Sequence, residues 1–433
     1  MEECNFFDFN KKVKKYTKGN IQTVFSEKYG YEEEHIIHSK DVLRIGKQKY
    51  DVYHMRPFRR EGELLMNIKK SSRKMVYGMT GCGKSFLFRG IIDRFIRSGG
   101  YVINLSDVKG EMISSLNPVQ EKFRFNLARG DKPTGLAIRE YYPAYLNKRK
   151  PKNNIKLMQI PLKEMTLEDL QTCITGIKMS DTQLNLLEKC LIVEQDKKYP
   201  SIRGLIDVVN NSDMFSGTKT ALILRLENLE ASEAVGETYE PMDIAQDFKE
   251  KYMVSLNLSG YAGTKNLTSF YIGFYIRKLI ELKDSGRIPI SKRVLVVLDE
   301  MGDFCPPDKD LVSRTEIEEL FRKGRIYNIY IIGATQKINF VSDKIFEQLD
   351  GCFMPNMSYI DLEDMKYIIK KKIRPDLSPN AIPQEVPRIL NKKLCKINKD
   401  GTRDWFYADF VGRKFKIFTP YSPLSAHMEE KGT

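Results

Sequence analysis

The chain has 433 residues, 41% of them hydrophobic, and a formal net charge of +14 at pH 7. That apolar fraction supports a sizeable core and excludes an intrinsically disordered chain, while the length allows about two or three domains. The positive surplus favours an anionic partner, most simply nucleic acid, although a solvated lysine surface has the same charge.

The seven cysteines are odd in number and include no C-x-x-C pair. They argue against a disulfide framework or a structural zinc site and suit a reducing cytoplasm. The four histidines form no metal-ligand pattern. No apolar run approaches the roughly 18 residues of a membrane span. The start, Met1-Glu-Glu-Cys-Asn, lacks the basic and apolar regions of a secretory signal. The expected location is therefore cytoplasmic.

Residues 1–70 read as a small β-containing module. Lys11, Lys12, Lys14, Lys15 and Lys18 form a basic cluster, either a DNA-contacting arm or a solvated helix face. Val42–Ile45 and Tyr50–Tyr53 alternate as two short strands.

The strongest signal follows. Gly78, Met79, Thr80, Gly81, Cys82, Gly83, Lys84 and Ser85 spell G-x-x-x-x-G-K-S, the phosphate-binding P-loop. An apolar run, Met75–Tyr77, precedes it. Phe86 opens a helical pattern to Arg97, with Leu87, Ile91 and Phe95 on one face. Glycines let backbone N–H groups turn toward phosphate oxygens, and the helix N-terminus adds a favourable dipole. Lys84 is placed to neutralise the β- and γ-phosphates of ATP, and Ser85 to hold Mg²⁺.

Gly99-Gly100 stops the helix, and Tyr101–Leu105 reads as a buried strand running into Ser106-Asp-Val-Lys-Gly-Glu111. Asp107, Lys109 and Glu111 there are either site residues at a strand's carboxyl end or parts of a simple turn. Residues 112–154 look irregular and carry the basic patch Lys148–Lys152. Ile155–Leu162 is a strand candidate, and Thr166-Leu-Glu-Asp169 has a helix-capping pattern. A mostly helical stretch, about 165–248, reads as an insertion in the nucleotide-binding core.

Tyr252–Leu258 returns to a strand pattern, followed by a long helix over Thr264–Lys283 whose aromatic stripe reads as core packing. Val294–Leu298 then ends in Asp299-Glu300, a buried strand delivering two acids at its edge. Asp299 suits the Mg²⁺ shell and Glu300 suits a general base that polarises water. A strand over Tyr327–Ala334 ends in Thr335-Gln336, where Gln336 is placed to sense the γ-phosphate. Between the two, Arg322 and Arg325 lie in Leu320-Phe-Arg-Lys-Gly-Arg325. They either cap a helix C-terminus or reach a neighbouring subunit's nucleotide. Residues 356–433 close the chain, with a β-hairpin of Asp404–Val411 and Lys414–Phe418 around Gly412-Arg413 whose aromatics read as core.

V-Y-G-M-T-G-C-G-K-S, S-D-V-K-G-E, L-D-E-M-G-D-F-C-P-P, R-K-G-R and A-T-Q, in that order over roughly residues 72–355, resemble the HerA/FtsK superfamily of DNA-pumping ATPases. Pro306, Pro307 and the helical insertion resemble its HerA branch. The resemblance implies an α/β fold: a RecA-like P-loop NTPase core with an additional strand and catalytic glutamate, and small N- and C-terminal additions. It implies ATP and Mg²⁺ as ligands, with Lys84, Ser85, Asp299, Glu300 and Gln336 at the site and Arg322 or Arg325 acting in trans. It further implies a homo-oligomeric ring, usually hexameric, with double-stranded DNA in its pore. The biological role stays open between DNA-end processing with a nuclease, genome packaging into a capsid, and conjugative transfer. A nucleotide-dependent assembly protein and a protein-secretion ATPase are the readings from other classes.

Overall fold

The computed structural model describes residues 41–53, 56–146, 155–174, 179–355, 368, 371–372 and 402–426. The lysine cluster at 11–18 and the basic patch at 148–152 lie outside the described residues. From the amino-terminal side come strands β1 (Val42–Tyr53), β2 (Arg56–Asn67) and β3 (Arg73–Tyr77), helix α1 (Lys84–Arg97), and strands β4 (Tyr101–Asp107), β5 (Ile138–Pro143) and β6 (Ile155–Met158). Helices α2 (Leu167–Cys173), α3 (Asp181–Gln195), α4 (Ile202–Asn210), α5 (Ser216–Ser232) and α6 (Ile244–Lys249) follow. Then come β7 (Met253–Asn257), α7 (Lys265–Asp284), β8 (Val294–Leu298), the short α8 (Met301–Phe304) and α9 (Val312–Lys323). The last elements are β9 (Ile329–Thr335), α10 (Asp343–Gln348), β10 (Gly351–Met354), β11 (Trp405–Asp409) and β12 (Lys414–Pro420).

Two compact units emerge, each drawn from separated stretches. One comprises Met1–Gly100, Asn117–Gly135 and Leu349–His427, the other Tyr101–Leu116, Leu136–Gln348 and Met428–Thr433. These borders do not coincide with the divisions near 70 and 355 read from the sequence.

In the first unit, β2, β1, β12, β11 and β10 pair in that order, all antiparallel, and β10 runs parallel to β3. Segments from before the P-loop and from the end of the chain therefore build one sheet with the P-loop strand. The two short strands expected at 42–45 and 50–53 are a single strand of 12 residues. Its pairing shifts register between Gln48 and Tyr50, so a local irregularity absorbs the polar interruption that the sequence presents as a turn. The hairpin aromatics Trp405, Phe406, Phe415 and Phe418 are buried, as core residues.

Helix α1 packs through Leu87, Ile91 and Phe95, all buried at the four-residue spacing. Its third turn also buries Asp93, which is 0% exposed. The carboxylate accepts the backbone N–H groups of Leu424 (2.6 Å) and Ser425 (3.1 Å) and the Ser425 hydroxyl (2.6 Å). Burial raises the Asp93 carboxyl above its usual range, while these three donors pull the other way. Beside it, Arg94 donates to Asp131 (2.7 Å) and to the Ser422 carbonyl (3.2 Å). The end of the described chain is thus strapped to the P-loop helix.

In the second unit, β9, β8, β4, β7, β5 and β6 lie side by side in that order, all parallel. Strand β5 falls within residues read as irregular. Its polar side chains hide it: Arg139 pairs with Asp247 (2.7 Å) and Glu250 (3.0 Å), and Tyr141 donates to Asp247 (2.7 Å). The stretch before β7 is helical as expected. Thr166 caps α2 reciprocally with Asp169, at 3.0 and 3.1 Å.

Replacing Asp93 by alanine leaves two buried N–H groups and a hydroxyl without their acceptor, at about 1–3 kcal/mol each. The expected outcome is a loss of about 3 kcal/mol or more, read as a lower urea midpoint and as earlier proteolytic release of the chain end. An unchanged midpoint would mean that the strap carries no stability.

Candidate functional site

The P-loop lies in the first unit between β3, buried along its whole length, and α1. Its backbone depends on glycine at two positions. Gly78 has φ +154°, and a Cβ there would stand 2.6 Å from Pro355 Cγ and 2.7 Å from Cys82 Sγ. Gly83, at φ 101°, is the left-handed residue from which α1 starts. No side chain caps that helix, so its first N–H groups face the loop, an arrangement suited to an anion. Lys84 is buried, and its ammonium donates to the carbonyls of Gly78 (2.6 Å) and Met79 (3.3 Å). Met79, Thr80 and Gly81 are exposed, while Ser85 and Phe86 are half-buried. The Cys82 thiol is buried, and burial pushes its pKa up.

The second unit carries the acids. Val294, Leu295, Val296, Val297 and Leu298 are each at most 2% exposed, so β8 can hold no carboxylate until it ends. Asp299 and Glu300 follow at once, half-buried. Glu300 has φ 48° and ψ 47°, the left-handed region, which costs a non-glycine residue roughly 1–2 kcal/mol. Its neighbours hold it there. The Glu300 N–H donates to Asp299 Oδ1 (3.0 Å), and Ser106 Oγ, from β4, donates to the Asp299 carbonyl (3.0 Å). Two residues on, a Cβ at Gly302 would be 3.1 Å from Phe340 Cβ and 3.3 Å from Thr335 Oγ1. Asp303 accepts hydrogen bonds from the Tyr261 hydroxyl and from Lys265 Nζ (2.9 Å). Burial alone would raise the Asp303 carboxyl, but these two donors leave it below its ordinary range. Backbone strain stored at a named residue and over-determined around it is characteristic of functional sites.

Strand register brings further expected residues to the same edge. Leu298 lies opposite Gly333 and Val297 opposite Asn104, so the residues following β8 and β9 emerge together. Gln336 is exposed there, next to the acid turn. Asp107 is closer to the turn reading, since its carboxylate accepts the N–H groups of Glu111 (3.2 Å) and Met112 (2.9 Å). Arg322 and Arg325 are elsewhere. They sit at the end of α9 and just beyond, before β9 begins, and so at the opposite edge of this sheet. Arg322 is exposed and makes a two-pronged pair with Glu319, at 2.8 and 2.7 Å. Ser106, Tyr261, Lys265 and Asp303 were not singled out from sequence. Ser106 and Asp303 each lay within a quoted motif, Ser106 opening S-D-V-K-G-E and Asp303 following Glu300 in the acidic run.

The family profile described as "Helicase HerA, central domain" matches residues 64–279. The chain is similar to the HerA/FtsK-type P-loop ATPases. A curated relative, the DNA double-strand break repair helicase HerA of Sulfurisphaera tokodaii, is 21% identical over 349 residues, covering 78% of this chain. The alignment spans 64% of that relative's own length. Among solved structures, VirB4 of Thermoanaerobacter pseudethanolicus superposes with a TM-score of 0.56 at 14% identity, covering 89% of this chain and 97% of that one. The bacterial conjugative coupling protein TrwB, in a sulphate complex, has a TM-score of 0.49 at 13% identity over 82% of this chain and 88% of its own. The fold is that of the RecA-like P-loop NTPases, as expected for HerA/FtsK-type chains. Among the described residues, no helix is long and apolar enough to cross a membrane.

The raised Cys82 pKa has a direct readout. At neutral pH the thiolate fraction falls below that of a free cysteine, so alkylation by N-ethylmaleimide is slow, and it speeds up as pH rises toward the thiol's pKa. Mass-spectrometric mapping of Cys82 against pH checks this. Rapid labelling at neutral pH would show that the thiol is accessible and ionised.

Proposed function

We propose that this chain is an ATP-hydrolysing ring motor that translocates double-stranded DNA. One observation carries the reading: Glu300 is held in a strained backbone beside Asp299 and Gln336, in a chain that also has a full P-loop. The helix N-terminus and Lys84 take up phosphate charge, Glu300 accepts a proton from the attacking water, and Gln336 orients that water. Ser85 offers a hydroxyl and Asp299 a carboxylate, and each is the kind of hard oxygen donor that Mg²⁺ takes. When bound, Mg²⁺ supplies charge neutralisation at the β- and γ-phosphates.

The formal charge of +14 supports a polyanionic partner. The HerA relative, described as a DNA double-strand break repair helicase, supports DNA as that partner. Arg322 and Arg325, exposed and remote from their own chain's acid turn, suit a role at the nucleotide of an adjacent copy in a homo-oligomeric ring, hexameric in this reading. A cytoplasmic location fits the cysteine usage.

The test is steady-state ATP hydrolysis with and without double-stranded DNA. Hydrolysis should rise with DNA and fall with salt. Glu300→Gln should keep ATP binding and lose about 10²–10⁴ in turnover, the usual range for a general base. Lys84→Ala should lose binding itself. Of Arg322→Ala and Arg325→Ala, the finger variant should lose about 10³–10⁵ in kcat. Sedimentation with ATP and DNA should show a closed oligomer. A wild-type rate that Glu300→Gln leaves untouched would sink the catalytic assignment. Binding of ATP with no turnover under any condition would instead make the chain a nucleotide-dependent assembly protein.

A further inference from the structure

A second acid stands on the short helix that follows Glu300. Helix α8 has Glu300 as its N-cap and Asp303 as its third residue. Met301 and Phe304 are buried and fix the helix to the core, while Glu300 and Asp303, three residues apart, are neighbours on its surface. An acid at this third position ordinarily reaches back to the N-cap N–H, as Asp169 does to Thr166 in α2. Here the Glu300 N–H is already donated to Asp299 Oδ1 (3.0 Å), and Asp303 turns instead to the segment after β7.

That segment is shaped to receive it. The chain leaves β7 through Ser259 and Gly260, whose φ of 91° lies in the left-handed region that favours glycine. The Tyr142 hydroxyl donates to the Ser259 carbonyl (3.0 Å), tying the loop to β5. Thr264 N–H donates back to the Tyr261 carbonyl (2.8 Å), so the loop closes on itself. The Tyr261 ring packs on Phe304 with centroids 5.3 Å apart, and its hydroxyl donates to Asp303 Oδ2. Lys265, the first residue of α7, donates from Nζ to Asp303 Oδ1 at 2.9 Å. Each Asp303 oxygen therefore has its own donor, and one of the two donors is a cation. Among the described residues, the Glu300 carboxylate receives no hydrogen bond.

We propose that Tyr261 and Lys265 are positioning residues that sequester the Asp303 carboxylate and so leave Glu300 free to take a proton from water. The inference rests on Glu300 serving as the base, as proposed above. Two carboxylates one helical turn apart repel each other. An untied Asp303 interferes in two ways: it turns back toward Glu300, and its charge opposes the anionic phosphate that Glu300 serves. The tyrosine hydroxyl fixes the direction of the second acid without adding charge, and the lysine offsets its charge. Both act through Asp303. Since Lys84 and the P-loop carry ATP binding in the same reading, losing the clamp falls on kcat.

Steady-state ATP hydrolysis by the full-length chain with Mg²⁺ tests this. Tyr261→Phe and Lys265→Met together should lower kcat about tenfold to a hundredfold, the range for hydrogen bonds to a charged group, with KM for ATP within about threefold. Adding Asp303→Asn to that pair removes the loose charge and should restore most of the lost rate. In a Glu300→Gln background the same pair should change the residual rate little, because its effect is exerted on Glu300. Lys265 is exposed, so Lys265→Met with and without Asp303→Asn gives the same answer should Tyr261→Phe fail to fold. A lost rate that Asp303→Asn does not restore makes the clamp merely structural and overturns the proposal. So does a double variant that turns over like the wild type while Glu300→Gln does not. If Glu300→Gln itself keeps the wild-type rate, the base assignment fails, and the positioning role fails with it.

Discussion

Register among the parallel strands of the second unit governs the rest. Because β4, β8 and β9 run the same way and start level, their apolar stretches finish at one edge. Five aliphatic side chains of β8 are sealed from water, each worth roughly 1.5–3 kcal/mol. A left-handed glutamate at the end of that strand costs roughly 1–2 kcal/mol. The strand's burial exceeds this several-fold, so the fold can hold Glu300 in a conformation that an isolated peptide would abandon. Ser106 on β4 and Asp303 on α8 then grip the turn from both sides. The polar groups of the acid turn are fixed at the end of a strand that is itself entirely apolar.

A different device operates in the first unit. Helix α1 begins with Lys84 and, three turns later, buries Asp93 against the chain end. One helix therefore serves as the phosphate-facing dipole and as the anchor for residues 422–426. The anchor decides where the β11–β12 hairpin comes to rest, and hence why Trp405 stands against Gly83. A carboxylate buried this deeply is tolerable only because three donors converge on it. The same requirement explains the serine at position 425, whose N–H and hydroxyl both donate to Asp93.

The sequence was most legible where a local pattern coincides with a local cause. The glycine spacing of the P-loop, the five-residue apolar run before Asp299 and the Thr166 capping pair all act within a few residues, and all can be read without a partner. Strand β5 was not legible, because Arg139, Glu140 and Tyr141 look like a surface segment until Asp247 and Glu250 arrive from α6. The irregularity in β1 was hard to read because Lys47–Lys49 looks polar and loop-like, and its continuation as strand depends on pairing with β2 on one side and with β12, more than 360 residues away, on the other. The turn of Ser106, Tyr261 and Asp303 around Glu300 unites three segments, each of which alone looks like ordinary loop chemistry.

The arginines pose a question of competing attractions. Arg322 is engaged by Glu319, whose carboxyl is pulled down to about 2, chiefly by the hydrogen bonds from Arg322 and then Lys323. That pair sits on the surface, where solvent and salt screen such contacts and the net gain from them is small. Lys323 also reaches Glu319, so the carboxylate would keep a cation if Arg322 swung away. An arginine fork binds more strongly to a phosphate in a less hydrated setting than to an exposed glutamate. The surface pair is therefore only a weak tie on the guanidinium. Glu319, shared between Arg322 and Lys323, holds the exposed guanidinium at the end of α9.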